Sequence, residues 1–224
     1  MKKISFFSLF ILVLAGSSFC SLNKTNSTGT AIDVSTNTQI DLSKFSKAYF
    51  AGGCFWCEEA VFESVIGVSE VISGYSGGHT SNPSYEEVGG EQTGHAESIE
   101  VYYDPAIVTY SNLVKVYLAS IDPTQVQGQG PDHGDSYRSL IFYQNEAEKN
   151  MAEKQIAELT ASKKYGRPIA VQVVSFEKFW KAEDYHQNYV RLHPTQAYVM
   201  HESIPRLKRT QAAVSELIKA DRKM

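Results

Sequence analysis

Lys47-Ala48-Tyr49-Phe50-Ala51-Gly52-Gly53-Cys54-Phe55-Trp56-Cys57-Glu58-Glu59-Ala60-Val61 reads as three elements in succession. The apolar run Ala48 to Ala51 ends in two glycines, and apolar residues then recur at helical spacing, Trp56 with Ala60 and Cys57 with Val61 and Val65. Strand, glycine turn and helix follow one another. Such a turn places Cys54 at a helix N-terminus, where unpaired backbone N–H groups and the helix dipole favour an anion and lower a thiol pKa. Cys54 is therefore expected to be a nucleophile. Glu58 and Glu59 suit the same dipole but would oppose a thiolate if they faced it, so they are read as solvent-facing helix formers.

Outward from this stretch, strands and helices mix without strict alternation. Val68 to Tyr75 is a strand candidate, followed by a Gly-rich loop from Gly74 to Gly94, long enough to suggest a functional role. Ile99, Val101 and Tyr103 alternate with Ser98, Glu100 and Tyr102, the period of a half-buried strand. Leu113, Val114, Tyr117, Leu118 and Ile121 line one helix face, ended before Pro123. A second Gly-rich loop spans Gln127 to Asp135, then a strand from Tyr137 to Tyr143. Asn145 and Glu148 resemble a capping box opening a helix to about Lys164. Ile169 to Val174 reads as strand, Phe176 to Leu192 as helix, and Ile204 to Ile218 as a last amphipathic helix. The class is α+β: a single two-layer α/β sandwich domain with a mixed, largely antiparallel sheet and long Gly-rich loops.

The chain has 224 residues, 42% of them hydrophobic, enough for one well-buried core. Lys plus Arg total 21 against 25 Asp plus Glu with no basic run, which argues against nucleic acid as a partner. At the N-terminus, Lys2 and Lys3 precede an apolar stretch from Ile4 to Leu14 and the small residues Ala15, Gly16, Ser17 and Ser18. This is the pattern of an export signal, and it is too short for a comfortable membrane span of about 20 residues. Cys20 stands where a lipoprotein cysteine would, although Phe19 before it is bulky, so a lipid anchor there is the one membrane link to weigh. Residues 1–20 are expected to be the signal, 21–45, rich in Ser, Thr and Asn, a flexible tether, and 46–224 the catalytic domain. The expected location is outside the cytoplasm, periplasmic or membrane-anchored.

Of three cysteines, one belongs to the export segment, leaving Cys54 and Cys57 as a C-x-x-C pair. Buried inert thiols or half a zinc site are the bland alternatives, but no second cysteine pair or H-x-x-x-H partner completes a zinc site. Gly53-Cys54-Phe55-Trp56-Cys57-Glu58-Glu59 closely resembles the active-site signature of the peptide methionine sulfoxide reductases, A type. The resemblance continues through Gly74-Tyr75-Ser76-Gly77-Gly78, Asn82 to Val88, Thr93-Gly94-His95-Ala96-Glu97, Asp132-His133-Gly134 with Tyr137-Arg138-Ser139, and Ala182 to Gln187. It covers roughly Lys47 to Tyr198.

That family reduces methionine sulfoxide, and the A type acts on one sulfoxide epimer, the S form. The chemistry needs a soft nucleophile, an acid for the departing oxygen, donors on that oxygen and an apolar pocket for the methyl group. Cys54 is the nucleophile. Glu97 shares the parity of Ile99 and Val101, so it projects from the apolar face, where desolvation raises a carboxyl pKa and suits a general acid; the resemblance gives it that role too. By resemblance alone, Tyr85 and Tyr137 bond the sulfoxide oxygen, Phe55 and Trp56 receive the methyl, and Asp132 is a further site carboxylate. Pro131 and Ser136 depart from the family pattern beside Asp132. His95 and His186 are read as structural histidines.

Many relatives carry resolving cysteines in a C-terminal tail, but here no cysteine follows Cys57, and Gly89 replaces a cysteine found in some members. Cys57 or an external thiol must therefore resolve the sulfenic acid formed on Cys54. One helical turn separates the two cysteines by about 5 Å between Cα atoms, within disulfide reach. The substrate is expected to be oxidised proteins or free methionine sulfoxide, the reductant a thioredoxin-like disulfide reductant, and the state a monomer, with no metal or cofactor implied. A general thiol-disulfide oxidoreductase also uses C-x-x-C, but it has no task for Tyr85, Glu97 and Tyr137.

Overall fold

A computed structural model describes residues 41–224. The expected export signal and residues 21–40 of the expected tether lie outside them. At the end of that tether, Asp41 caps a 3₁₀ turn, Leu42–Lys44, its side chain accepting from the Ser43 N–H at 3.2 Å. Strand β1 follows (Ser46–Ala51), then α1 (Phe55–Glu63), β2 (Val68–Ser76), α2 (Tyr85–Gly89), β3 (Ala96–Tyr103) and α3 (Tyr110–Ser120). The second half holds β4 (Gly128–Gln129), β5 (Asp132–His133), β6 (Leu140–Tyr143), α4 (Glu146–Ala161), β7 (Gln172–Ser175), β8 (Phe179–Lys181), α5 (Tyr189–Leu192) and α6 (Ile204–Ala213).

Six strands form one sheet in the order β7-β6-β1-β3-β2-β8, and only β6 with β7 is parallel. The mixed, largely antiparallel sheet read from the sequence is what forms. One face carries Ala48, Phe50, Ile99 and Val101 into the main core with Val61, Phe62, Leu113 and Tyr117 from α1 and α3. Tyr49, Ala51, Ala96, Leu140 and Phe142 build a smaller cluster on the other face. Among the described residues no helix is long and apolar enough to cross a membrane.

Several readings of the sequence need correction, among them the last helix, which ends at Ala213 and not at Ile218. Strand β3 is buried along both faces, not one. The polar positions of its alternation are satisfied in place: Glu100 accepts from the Tyr49 and Tyr102 hydroxyls, each at 2.8 Å, and from Lys47 Nζ at 2.9 Å. Alternating polarity signals solvent only where no neighbouring side chain supplies hydrogen bonds.

The expected helix from Phe176 to Leu192 is instead strand β8, a 3₁₀ turn (Asp184–His186) and the short α5. The open edge of β2 takes β8 as its partner, with Gly74 opposite Lys181 and Ser76 opposite Phe179. Beyond β8 the Gln187 side chain continues the ladder, accepting from Ser73 N–H and donating to Ser73 C=O at 3.0 Å each. Phe176 stacks on Tyr49 with ring centroids 3.8 Å apart. These long-range pairings override a local apolar pattern.

The capping box at Asn145 is half formed. Asn145 accepts from the Glu148 N–H at 3.0 Å, but the Glu148 carboxylate reaches one residue further back, to Gln144 N–H at 2.8 Å. The complete box is at α2, between Ser84 and Glu87.

Gly74 shows what holds β8 against the sheet. A Cβ there would lie 2.3 Å from the Trp180 carbonyl oxygen and 2.4 Å from the Phe179 ring. Gly74→Ala must push β8 away, and overpacking of this kind costs about 1–3 kcal/mol. Calorimetry is expected to show a melting temperature lower by roughly 2–10 °C; an unchanged value would contradict the packing described.

Candidate functional site

The turn from β1 into α1 sets the position of Cys54. Gly53 has φ +77, and a Cβ there would meet the Gln129 side chain at 2.6 Å, so glycine is required twice over. Its N–H donates to the Tyr137 carbonyl at 3.2 Å, tying the 130s loop to the turn. Cys54 is the N-cap residue, and its carbonyl accepts from Cys57 N–H and Glu58 N–H at 3.1 and 3.4 Å. Both thiols are free and buried.

Glu97 comes to this helix start from β3. Its Oε2 accepts from the Phe55 N–H at 2.9 Å, and the residue is 3% exposed. Burial pushes the carboxyl up to about 8, against the Phe55 hydrogen bond and helped by the negative charge of Asp132 and Cys57. At neutral pH it holds a proton one residue from Cys54.

Tyr85 opens α2 and is held by Glu183, which accepts from the Tyr85 N–H at 3.0 Å and the Tyr75 hydroxyl at 2.9 Å. Its ring lies 6.3 Å from Phe55 and 4.5 Å from His186. Burial raises the Tyr85 and Tyr137 phenols, Tyr85 to about 12, so both hydroxyls remain donors. Tyr137 lies in a 3₁₀ turn, Asp135–Tyr137, just before β6, not in the strand.

Phe55 is fully buried, whereas Trp56 is half-buried, stacks on Tyr189 at 3.8 Å and donates from Nε1 to His186 Nδ1 at 3.1 Å. His186 thereby fixes the indole, and its ring lies 5.0 Å from that of Phe55. His95 is structural, accepting from Gly78 N–H at 3.1 Å with its Nε2 2.7 Å from the Thr80 carbonyl. Asp132 is half-buried and accepts from the Tyr198 hydroxyl at 2.5 Å. The structure thus groups Cys54, Phe55, Trp56, Tyr85, Glu97 and Tyr137 around the start of α1. Asp132 stands to the side, next to Cys57 and Tyr198.

The electrostatics correct two expectations. Glu58 and Glu59 are each 1% exposed rather than solvent-facing. Glu58 pairs with the buried Arg206 and Glu59 accepts from Asn188 N–H at 2.9 Å; burial raises the two to about 7 and about 8. The second correction concerns Cys54, whose thiol is raised, not lowered. Burial dominates, then the hydrogen bond to Cys57 and the charge of Glu97. Cys57 is the lowered one, to about 6, through the hydrogen bond from Cys54, aided by Arg206, Ser203 and Tyr198. Of the two thiols, Cys57 is the one whose surroundings favour the thiolate.

Sequence reasoning missed Glu183, Tyr198, Ser203 and Arg206. Glu183 lies in the Ala182 to Gln187 stretch that carries the resemblance, but the role of each of the four rests on a partner more than 60 residues away in the chain.

A model of the peptide methionine sulfoxide reductase family matches residues 46–217. The peptide methionine sulfoxide reductase MsrA of Listeria monocytogenes serotype 4b is 50% identical over 145 residues, 65% of this chain and 82% of that protein. That of Picrophilus torridus is 48% identical over 150 residues, 67% and 84%. Among solved structures, Mxr1 from Saccharomyces cerevisiae in reduced form aligns with TM-score 0.63 at 30% identity, covering 70% of this chain and 91% of that one. Methionine sulfoxide reductase A of Corynebacterium diphtheriae aligns with TM-score 0.60, also at 30% identity, covering 68% and 77%.

The buried carboxyls set a pH dependence of stability. Glu58, Glu59 and Glu97 keep their protons in the folded chain above the ordinary 4.5, so the folded state is the more protonated as pH rises from 4.5 toward 7 or 8. Stability therefore falls across that window. Cys57 opposes this only between about 6 and its ordinary 9.0, and His186, lowered by burial, opposes it below 6.5. Glu63 and Asp132, also raised by burial, act in the same direction, so between pH 4.5 and 6 the raised carboxyls outnumber the one opposing group. Thermal melts are expected to show higher stability at pH 5 than at pH 6.5; a rise over that interval would contradict the protonated state of these carboxyls.

Proposed function

The chain belongs to the peptide methionine sulfoxide reductase family and reduces methionine sulfoxide, and from that premise we propose how its own residues divide the work. The observation that carries the proposal is the protonated Glu97 carboxyl seated on the Phe55 N–H beside the Cys54 thiol.

The Cys54 sulfur attacks the sulfoxide sulfur while its proton passes to the Cys57 thiolate. Glu97 protonates the oxygen as the S=O bond weakens, and the Tyr85 and Tyr137 hydroxyls donate to the charge building on it. Phe55 and Trp56 hold the methyl. The oxygen ends on Cys54 as a sulfenic acid and methionine leaves, so the substrate sulfur gains the two electrons that Cys54 loses. Cys57 then attacks Cys54, the S–O bond breaks, and the hydroxide takes up the Cys57 proton and departs as water. A thioredoxin-like dithiol restores the Cys54–Cys57 pair. The resemblance to the A type supports the S epimer as substrate, free or in proteins.

The test is turnover of purified protein with dithiothreitol and each epimer of a blocked methionine sulfoxide. Only the S epimer is expected to react, and Glu97→Gln, which bonds but gives up no proton, is expected to slow single turnover by about 100-fold or more while binding changes far less. Wild-type rates in the variant would remove Glu97 from this role, and turnover of neither epimer would overturn the whole reading.

The protein is further proposed to act outside the cytoplasm, on the strength of Lys2-Lys3, the apolar stretch to Leu14 and the small residues that follow. Mass spectrometry of the native protein is expected to find an N-terminus between Ser17 and Asn23, with a lipid adduct only if that terminus is Cys20. An intact Met1-to-Leu14 segment on a cytoplasmic protein would contradict export.

A further inference from the structure

On the side of α1 facing the C-terminal helix, Cys57 meets a set of groups that neither sulfoxide binding nor oxygen transfer uses. The Ser203 hydroxyl lies 3.1 Å from Cys57 Sγ and the Tyr198 hydroxyl 3.9 Å. Next to them Arg206, 7% exposed, is fixed on several sides: its Nε donates to Ser120 C=O and its Nη2 to Gly52 C=O, both at 2.8 Å, and it also pairs with Glu58. A cavity of about 270 Å³ lined by Cys57, Arg206, Tyr198 and Asp132 opens on this same side.

A buried guanidinium costs several kcal/mol of desolvation unless neighbouring charges and dipoles compensate. Glu58 is one compensating charge, and the thiol pair beside it is another. After Glu58, the Cys57 thiol is the group whose negative charge favours the guanidinium most, and Asp132 lies on the same cavity.

We propose that Arg206 and Ser203 are positioning residues that hold Cys57 as the charged member of the thiol pair, poised first to take the Cys54 proton and then to close the bridge. The inference rests on the proposed role of Cys57 in resolution. The bridge-closing step stays balanced: the Cys57–Cys54 S–S bond forms, the Cys54 S–O bond breaks, and hydroxide leaves with a proton as water.

The charged and titratable groups around Cys57 come from four elements: Cys54 and Glu58 from α1, Glu97 from β3, Asp132 from β5, and Tyr198 and Arg206 from the C-terminal segment. Arg206 is the cation among these six. Its Coulomb attraction lowers the Cys57 thiol and the Ser203 and Tyr198 hydroxyls add to this, whereas burial opposes it.

The experiment reads thiolate absorbance of the reduced enzyme against pH, and, separately, the rate of bridge formation after one equivalent of methionine sulfoxide without reductant. Wild type is expected to ionise one thiol near pH 6. Arg206→Met should raise that midpoint by about one unit or more, Arg206→Lys should restore most of it, and Glu58→Gln should move it the opposite way. Bridge formation at pH 6 should slow about tenfold in Arg206→Met and approach the wild-type rate at pH 9.

Arg206→Met leaves Glu58 buried without its partner. If that variant does not fold, Ser203→Ala and the double variant Glu58→Gln/Arg206→Met carry the same test, each with a raised midpoint expected. Folded variants that keep the wild-type midpoint would overturn the inference. A wild-type enzyme that turns over without forming a Cys54–Cys57 bridge would instead overturn the role of Cys57 in resolution, with the midpoint shifts unaffected.

Discussion

The hydrogen bond from the Phe55 N–H to the buried Glu97 carboxyl, 2.9 Å, is the contact on which the rest of the catalytic arrangement depends. It joins the first turn of α1 to a strand 42 residues further along the chain. β3 sits at the centre of the sheet, with Ile99 opposite Phe50 on β1 and Glu97 opposite Tyr75 on β2. Slipping that register by one residue would turn Glu97 to the opposite face and put Ser98 or Ala96 in its place. The sheet therefore fixes an acid beside a nucleophile, and desolvation keeps the acid neutral where an ionised carboxylate would repel the attacking thiolate.

The same burial that arms Glu97 raises Cys54, so the helix N-terminus does not by itself make this cysteine a thiolate. Stabilisation from a helix dipole is typically 0.3–1 kcal/mol, rising to about 2 in favourable buried geometry, whereas removing a charged group from water costs several. Desolvation outweighs the dipole, and a negative charge is favoured on Cys57 instead, where Arg206 and two hydroxyls face it. In the proposed division of work, Cys54 becomes nucleophilic by passing its proton one helical turn along α1. Two thiols, two carboxyls and one guanidinium thus act as a single titrating system, and no one member's pKa can be understood apart from its neighbours.

Local signals along the chain carry the part of this that local physics decides. Gly52-Gly53 followed by helical spacing marks the strand-turn-helix, and the parity of Glu97 with Ile99 and Val101 puts it on the core face. The placements that long-range contacts decide were misread. Glu58 and Glu59 look solvent-facing because charged residues usually are, and the cation that accommodates Glu58 lies 148 residues away. Residues 176–192 look helical until the open edge of β2 needs a partner. Cys54 looks activated until the depth of its burial is known. In each case the sequence displays the group but not the environment that assigns its charge or conformation.

The most direct test of the account is the protonation state of Glu97 itself. Infrared difference spectroscopy between the wild-type protein and Glu97→Gln, titrated from pH 4 to 10, isolates the carbonyl stretch of this one carboxyl from those of Glu58 and Glu59. The account predicts a protonated-carboxyl band at neutral pH that disappears with a midpoint near 8. A band already lost near the ordinary carboxylate value of 4.5 would mean that Glu97 is ionised beside Cys54, and the arrangement described here would then lack its acid.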